Sequence, residues 1–78
     1  MTTGKINKLV HTANQIAENF GTSMPEHEAV TGAATHLRLY WTAKMIREII
    51  AFADQGRPGL NAIAARAVQS LKETATAA

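Results

Sequence analysis

The sequence predicts an all-α, compact bundle-like domain of four short helices. Apolar residues recur at three- and four-residue intervals in successive blocks. Residues that start and stop helices fall between those blocks. Neither alternating apolar and polar runs nor hairpin dipeptides compete with this pattern. At 78 residues, the chain is near the lower size at which one core sustains a fold. The expected domain spans residues 1–73, and Thr74-Ala75-Thr76-Ala77-Ala78 reads as a low-complexity tail that frays.

The first block, Ile6, Leu9, Val10, Ala13, Ile16, Ala17 and Phe20, draws one apolar helical face. It predicts a helix from about Gly4 to Phe20, with Thr3 as N-cap and Gly21 as the left-handed residue that ends it. Asn14 lies beside the stripe and Gln15 away from it. They read either as a solvated flank or as two amides that hydrogen-bond a partner's backbone.

Ser23 and Glu26 have the spacing of a capping box, with Pro25 in the first turn, where a missing N–H costs nothing. The second helix then carries Val30, Ala33, Ala34, Leu37 and Trp41 on one face, with Tyr40 just beside them. Ala29, Gly32, Ala33 and Ala34 suggest a close helix crossing in its first half. Thr42 both ends this helix and caps the next, which places a corner at Tyr40 to Ala43. A continuous helix from Met24 to Gln55 is the competing reading, and its length suits so small a domain poorly.

Met45, Ile46, Ile49, Ile50, Phe52 and Ala53 give the third face. Gly56 is the expected C-cap, and Pro58 blocks continuation. Asn61 is the expected N-cap of the fourth helix, with Leu60 ahead of it as a staple residue. Ile63, Ala64, Ala67, Val68 and Leu71 form that helix's apolar side.

Composition narrows the function. Eight Lys and Arg against six Asp and Glu leave a net charge of +2, weaker than the basic stripe of a nucleic-acid binder. There is no cysteine, so neither a disulfide framework nor a thiolate metal site is open to it. Met1 to Lys5 lead into a patterned helix without an apolar core, so neither a signal peptide nor a membrane span is expected, and the expected location is cytoplasmic. His11, His27 and His36 stand at separations that make no helical ligand pair, so no metal site is expected. Ser23 and Ser70 belong to no nucleophile elbow, and Gly56-Arg57-Pro58-Gly59 reads as an interhelical loop and not a phosphate loop. The chain is expected to act by binding and not by turnover.

The densest chemistry lies in His36-Leu37-Arg38-Leu39-Tyr40-Trp41-Thr42-Ala43-Lys44-Met45, which holds the single Trp and the single Tyr. Such a pair serves either as a core anchor or as the hot spot of a partner surface. Arg38, Lys44 and Arg47 read either as a solvated helix face or as one cationic rim, where an Arg fork holds a carboxylate in two bonds.

These residues also carry a family resemblance. Ala13-Asn14-Gln15-Ile16-Ala17, then His36-Leu37-Arg38-Leu39-Tyr40-Trp41 with Met45, then Gly56 and Gly59-Leu60-Asn61 resemble the delta subunit of the cytoplasmic, NAD-dependent, molybdenum-containing formate dehydrogenases of bacteria. The resemblance spans about Leu9 to Leu71. It departs where Thr42-Ala43-Lys44 stand for the family's Asp-Pro-Arg, although Thr keeps the cap and Lys the charge. It also departs at Gly56-Arg57, where the family has Gly-Gly, and at Asn61-Ala62, where it has Asp-Pro and the cap is again kept.

The resemblance implies a small non-catalytic helical subunit that supports assembly, molybdenum cofactor insertion or stability of a large molybdopterin catalytic subunit. The chain itself is expected to bind no cofactor; bis-molybdopterin guanine dinucleotide, iron–sulfur clusters and FMN are expected on the partners. The expected partner-binding residues are Asn14, Gln15, His36, Arg38, Tyr40, Trp41 and Lys44. Two other classes stay open: a self-associating structural domain, dimeric when isolated, and a small helical nucleic-acid binder.

Overall fold

Each apolar block becomes one helix. A computed structural model describes the backbone of residues 2–56 and 59–77 and the side chains of residues 6–56 and 59–74. The helices are α1 (Thr2–Gly21), α2 (Glu26–Tyr40), α3 (Ala43–Asp54) and α4 (Ala62–Ala77). No strand occurs among the described residues, and the radius of gyration is 11.5 Å.

Helix α4 packs against all three others. Its Ala67 and Leu71 meet Ala33, Ala34 and Leu37 of α2, while its Ala64 meets Ala13 and Ala17 of α1. Val68 joins Leu9 of α1 and Ile49 of α3 in a third cluster. Alanines dominate two of these contacts, so the backbones approach closely and the few large side chains carry most of the transfer energy. Full burial of Leu37, Ile49 and Val68 stabilises the fold by about 1.5 to 3 kcal/mol each. The close crossing expected in the first half of α2 is present: a Cβ on Gly32 would stand 2.8 Å from Cδ1 of Phe20.

Three local expectations are overturned. The first is the capping box: Pro25 is the N-cap of α2, with no side-chain cap bond. The Ser23 hydroxyl turns back instead to donate to the Asn19 carbonyl at 3.4 Å, and Thr22 donates to the same carbonyl at 2.9 Å. Both engage one of the carbonyls that the end of α1 leaves open. Glu26, released from capping, pairs with Arg66 on α4. The second is Gly21, which is helical and not left-handed. A side chain there would collide with Ile63 Cδ1, 2.8 Å from the Cβ position, so close packing and not chain reversal explains this glycine. The third is the start of α1: the helix begins at Thr2, which puts Thr3 inside its first turn. The capping role of the Thr3 side chain lies outside the described residues, as do the expectations for Arg57 and Pro58.

The ends at Thr42, Gly56 and Asn61 form as expected. Thr42 caps α3, its hydroxyl accepting from the Met45 amide at 3.2 Å, so the chain turns a corner and the continuous helix does not form. Gly56 takes a left-handed φ of 70° just past the α3 cap at Gln55. Asn61 caps α4 by accepting from the Ala64 amide at 2.8 Å. Helix α4 runs past Thr74, where the sequence places the start of a fraying tail, and continues through Ala77; the Thr74 hydroxyl donates to the Ser70 carbonyl at 3.0 Å. Thr42→Ala is expected to lower unfolding free energy by about 1 kcal/mol. Urea melts that leave the midpoint unmoved would show the corner to be held by packing alone.

Candidate functional site

The corner between α2 and α3 is built from the end of one helix and the cap of the next. Trp41 and Thr42 are extended, with ψ of 147° and 160°. The Trp41 amide donates to the Leu37 carbonyl at 2.9 Å, and the Ile46 amide donates to the Thr42 carbonyl at 3.0 Å. Both sides of the bend are therefore tied to helical backbone. The Trp41 side chain is half-buried and packs against all three core clusters. It is the peg on which the corner turns, so its place in a partner surface is limited to its exposed edge.

Its neighbours face the other way. Leu39 is 71% exposed and Tyr40 72% exposed. Each residue of a helix advances about 100° around the axis, so Leu39 stands on the side opposite the buried Leu37, with Arg38 on one flank and Tyr40 on the other. Arg38 and Tyr40 consequently do not share a face. The Tyr40 ring lies 4.7 Å from that of His36, and His36 in turn meets Phe20 edge-on at 6.3 Å. These contacts hold Tyr40 along the α1 side of the ridge. Lys44 and Arg47, one helical step apart on α3, are exposed. Among the described residues no ion pair engages Arg38, Lys44 or Arg47, whereas Arg66 and Lys72 are paired with Glu26 and Asp54.

The two amides of α1 separate. Gln15 is exposed. Asn14 is engaged within the fold: its Nδ2 donates to the Gly59 carbonyl at 2.7 Å, and its Oδ1 accepts from the Asn61 amide at 2.8 Å. Asn61 Nδ2 returns a third bond to the Asn14 carbonyl at 3.2 Å. Asn14 thus clasps the α3–α4 connection, where Gly59 has a φ of 145° that side-chain-bearing residues rarely adopt.

The partner-binding residues expected from sequence do not include Leu39, although its signal is legible: an apolar residue two positions from Leu37 falls on the polar side of an amphipathic helix.

Elsewhere the surface offers little chemistry. A shallow groove of about 260 Å³ between α2 and α4 is lined by Val30, Arg66, Gln69, Ser70 and Glu73. Among the described residues no group of three His, Cys, Asp or Glu side chains converges to hold a metal ion. No described helix is long and apolar enough to cross a membrane.

No curated protein and no solved structure matches the chain. A sequence-family model described as "NADH-dependant formate dehydrogenase delta subunit FdsD" matches residues 8–68, which takes in the Asn14 clasp, the whole of α2 and α3, and the capped start of α4. The match covers most of the chain, and the protein belongs to the delta-subunit family of NADH-dependent formate dehydrogenases.

Proposed function

We propose that the chain is a non-catalytic accessory subunit that docks on the large catalytic subunit of a cytoplasmic formate dehydrogenase complex. Docking supports assembly, molybdenum cofactor insertion or stability of that subunit. In this reading bis-molybdopterin guanine dinucleotide, the iron–sulfur clusters and FMN reside on the partners. The observation that carries the reading is the ridge of Leu39 and Tyr40, 71% and 72% exposed on a corner whose backbone and Trp41 are fixed. A preformed apolar ridge loses little conformational freedom on binding, which favours affinity. Arg38 flanks Leu39, Lys44 is exposed on α3 just past the corner, His36 steadies Tyr40, and Gln15 is exposed on α1. Asn14 contributes by holding the loop of Gly59 and Asn61 in place.

The test is Leu39→Ser combined with Tyr40→Ser. Both side chains are exposed, so the melting temperature should stay close to that of the unaltered chain. Copurification of the large subunit with the tagged double variant should fall by at least about tenfold, the loss expected of one or two hot-spot residues. Molybdenum bound to the large subunit, measured by mass spectrometry, should fall with it. Undiminished copurification by a folded double variant would refute this placement. Light scattering on the isolated chain addresses the self-associating alternative: a dimer that the double variant abolishes would assign the ridge to a second copy.

A further inference from the structure

We infer that the segment docking on this corner is acidic: a stretch of the partner formate dehydrogenase subunit in which Asp or Glu side chains bracket one apolar side chain. The inference rests on the accessory-subunit reading and adds the chemistry of the contact. Its starting point is the distribution of charge. From Ala29 to Arg47 the chain contains no carboxylate, and its cations there are Arg38, Lys44 and Arg47. The other five cations stand against all six carboxylates. The stretch that turns the corner is therefore locally positive, although the two helices as wholes also hold Glu26 and Glu28 at the far end of α2 and Glu48 and Asp54 beyond Arg47 on α3.

The structure leaves that charge available. Two of the cations outside the corner, Arg66 and Lys72, are neutralised by carboxylates on neighbouring helices. Arg38, Lys44 and Arg47 are exposed, and no ion pair engages them among the described residues. They stand on both sides of the bend, with Leu39 protruding between Arg38 and Tyr40. An uncharged partner would leave three cations partly desolvated without compensation, which opposes binding. Carboxylates placed around an apolar residue compensate them while Leu39 and Tyr40 supply the desolvated centre, the usual division between rim and core of an interface. A nucleic acid would also meet the cations, but a protruding Leu39 offers no stacking face for a base.

The experiment uses the tagged chain coexpressed with the partner subunits, with binding measured across a sodium chloride series. Arg38→Gln, Lys44→Gln and Arg47→Gln together should weaken binding at low salt by at least about tenfold and flatten the dependence on salt that the unaltered chain shows. A control with the same charge change on α4, Ala62→Glu, Ala65→Glu and Gln69→Glu, should bind as the unaltered chain does. A carbodiimide, which condenses an amine and a carboxylate into an amide with loss of water, should join Lys44 Nζ to an Asp or Glu of the partner. Lys44→Arg should abolish that product while binding persists. A folded triple-Gln variant that binds undiminished, or crosslinking that never reaches Lys44 in an intact complex, would overturn the acidic partner and leave the accessory role standing. Failure of the unaltered chain to retain any formate dehydrogenase subunit at low salt would overturn both. Salt-sensitive binding of a 20-nucleotide single strand through the same three cations, in place of the partner subunit, would assign the surface to nucleic acid.

Discussion

Trp41→Ala is expected to lower the unfolding free energy by about 3 kcal/mol, the lower part of the range for removing a large aromatic from a core because one edge of the ring meets solvent. Trp41 is the side chain shared by all three clusters, so its loss opens a cavity where all four helices converge. Stability of roughly 0.05 to 0.15 kcal/mol per residue gives a chain of this length only about 4 to 12 kcal/mol in total. The variant should therefore keep only about 1 to 9 kcal/mol, and circular dichroism at 222 nm during urea titration measures the change. Trp41→Phe should recover about half of the loss, since most of the ring contact returns. An alanine variant as stable as the unaltered chain would show that Trp41 is a surface residue. The same reasoning dictates how docking is tested: Trp41→Ala confounds folding with binding, whereas substitutions at Leu39 and Tyr40 do not.

Asn14→Ala removes two side-chain hydrogen bonds and leaves the part-buried Asn61 amide without its acceptor. An abandoned buried donor costs the full desolvation penalty, so a loss of about 2 to 3 kcal/mol is expected. Hydrogen exchange at the Asn61 amide should accelerate selectively, because the bond from Asn14 Oδ1 is its protection. Asn61→Ala should cost about 1 to 2 kcal/mol through loss of the α4 cap. The two substitutions should be less than additive, since the bond from Asn61 Nδ2 to the Asn14 carbonyl belongs to the same network. Unchanged exchange at Asn61 in the Asn14 variant would mean that the clasp is not formed in solution.

The helices and most of their ends were legible because the responsible forces act over three or four residues. The apolar stripe of α1, the caps at Thr42 and Asn61 and the left-handed Gly56 all read correctly from their neighbours. Where local rules failed, a distant partner had intervened. Glu26 satisfies the spacing of a capping box yet is drawn to Arg66, 40 residues away. Gly21 has the place of a helix terminator, but the space it vacates is taken by Ile63.

The candidate site divides along the same line. That Arg38, Tyr40, Trp41 and Lys44 lie at a corner was readable from one capping threonine. Which of them face solvent was not, because adjacent aromatics look alike in sequence, and only the convergence of α1, α3 and α4 buries Trp41 while leaving Tyr40 exposed. Asn14 was equally ambiguous, since a side-chain amide declares its partner only when chain segments 45 and 47 residues apart are brought together.

The sequence by itself therefore determined the four helices, the corner and the uneven distribution of charge, because periodicity, capping and composition are local or global sums that need no coordinates. The tertiary structure alone decided that Trp41 is a peg, that Asn14 is a clasp and that Leu39 and Tyr40 form the free ridge. Burial and hydrogen-bond partnership depend on which elements meet, and that is a property of the packed chain.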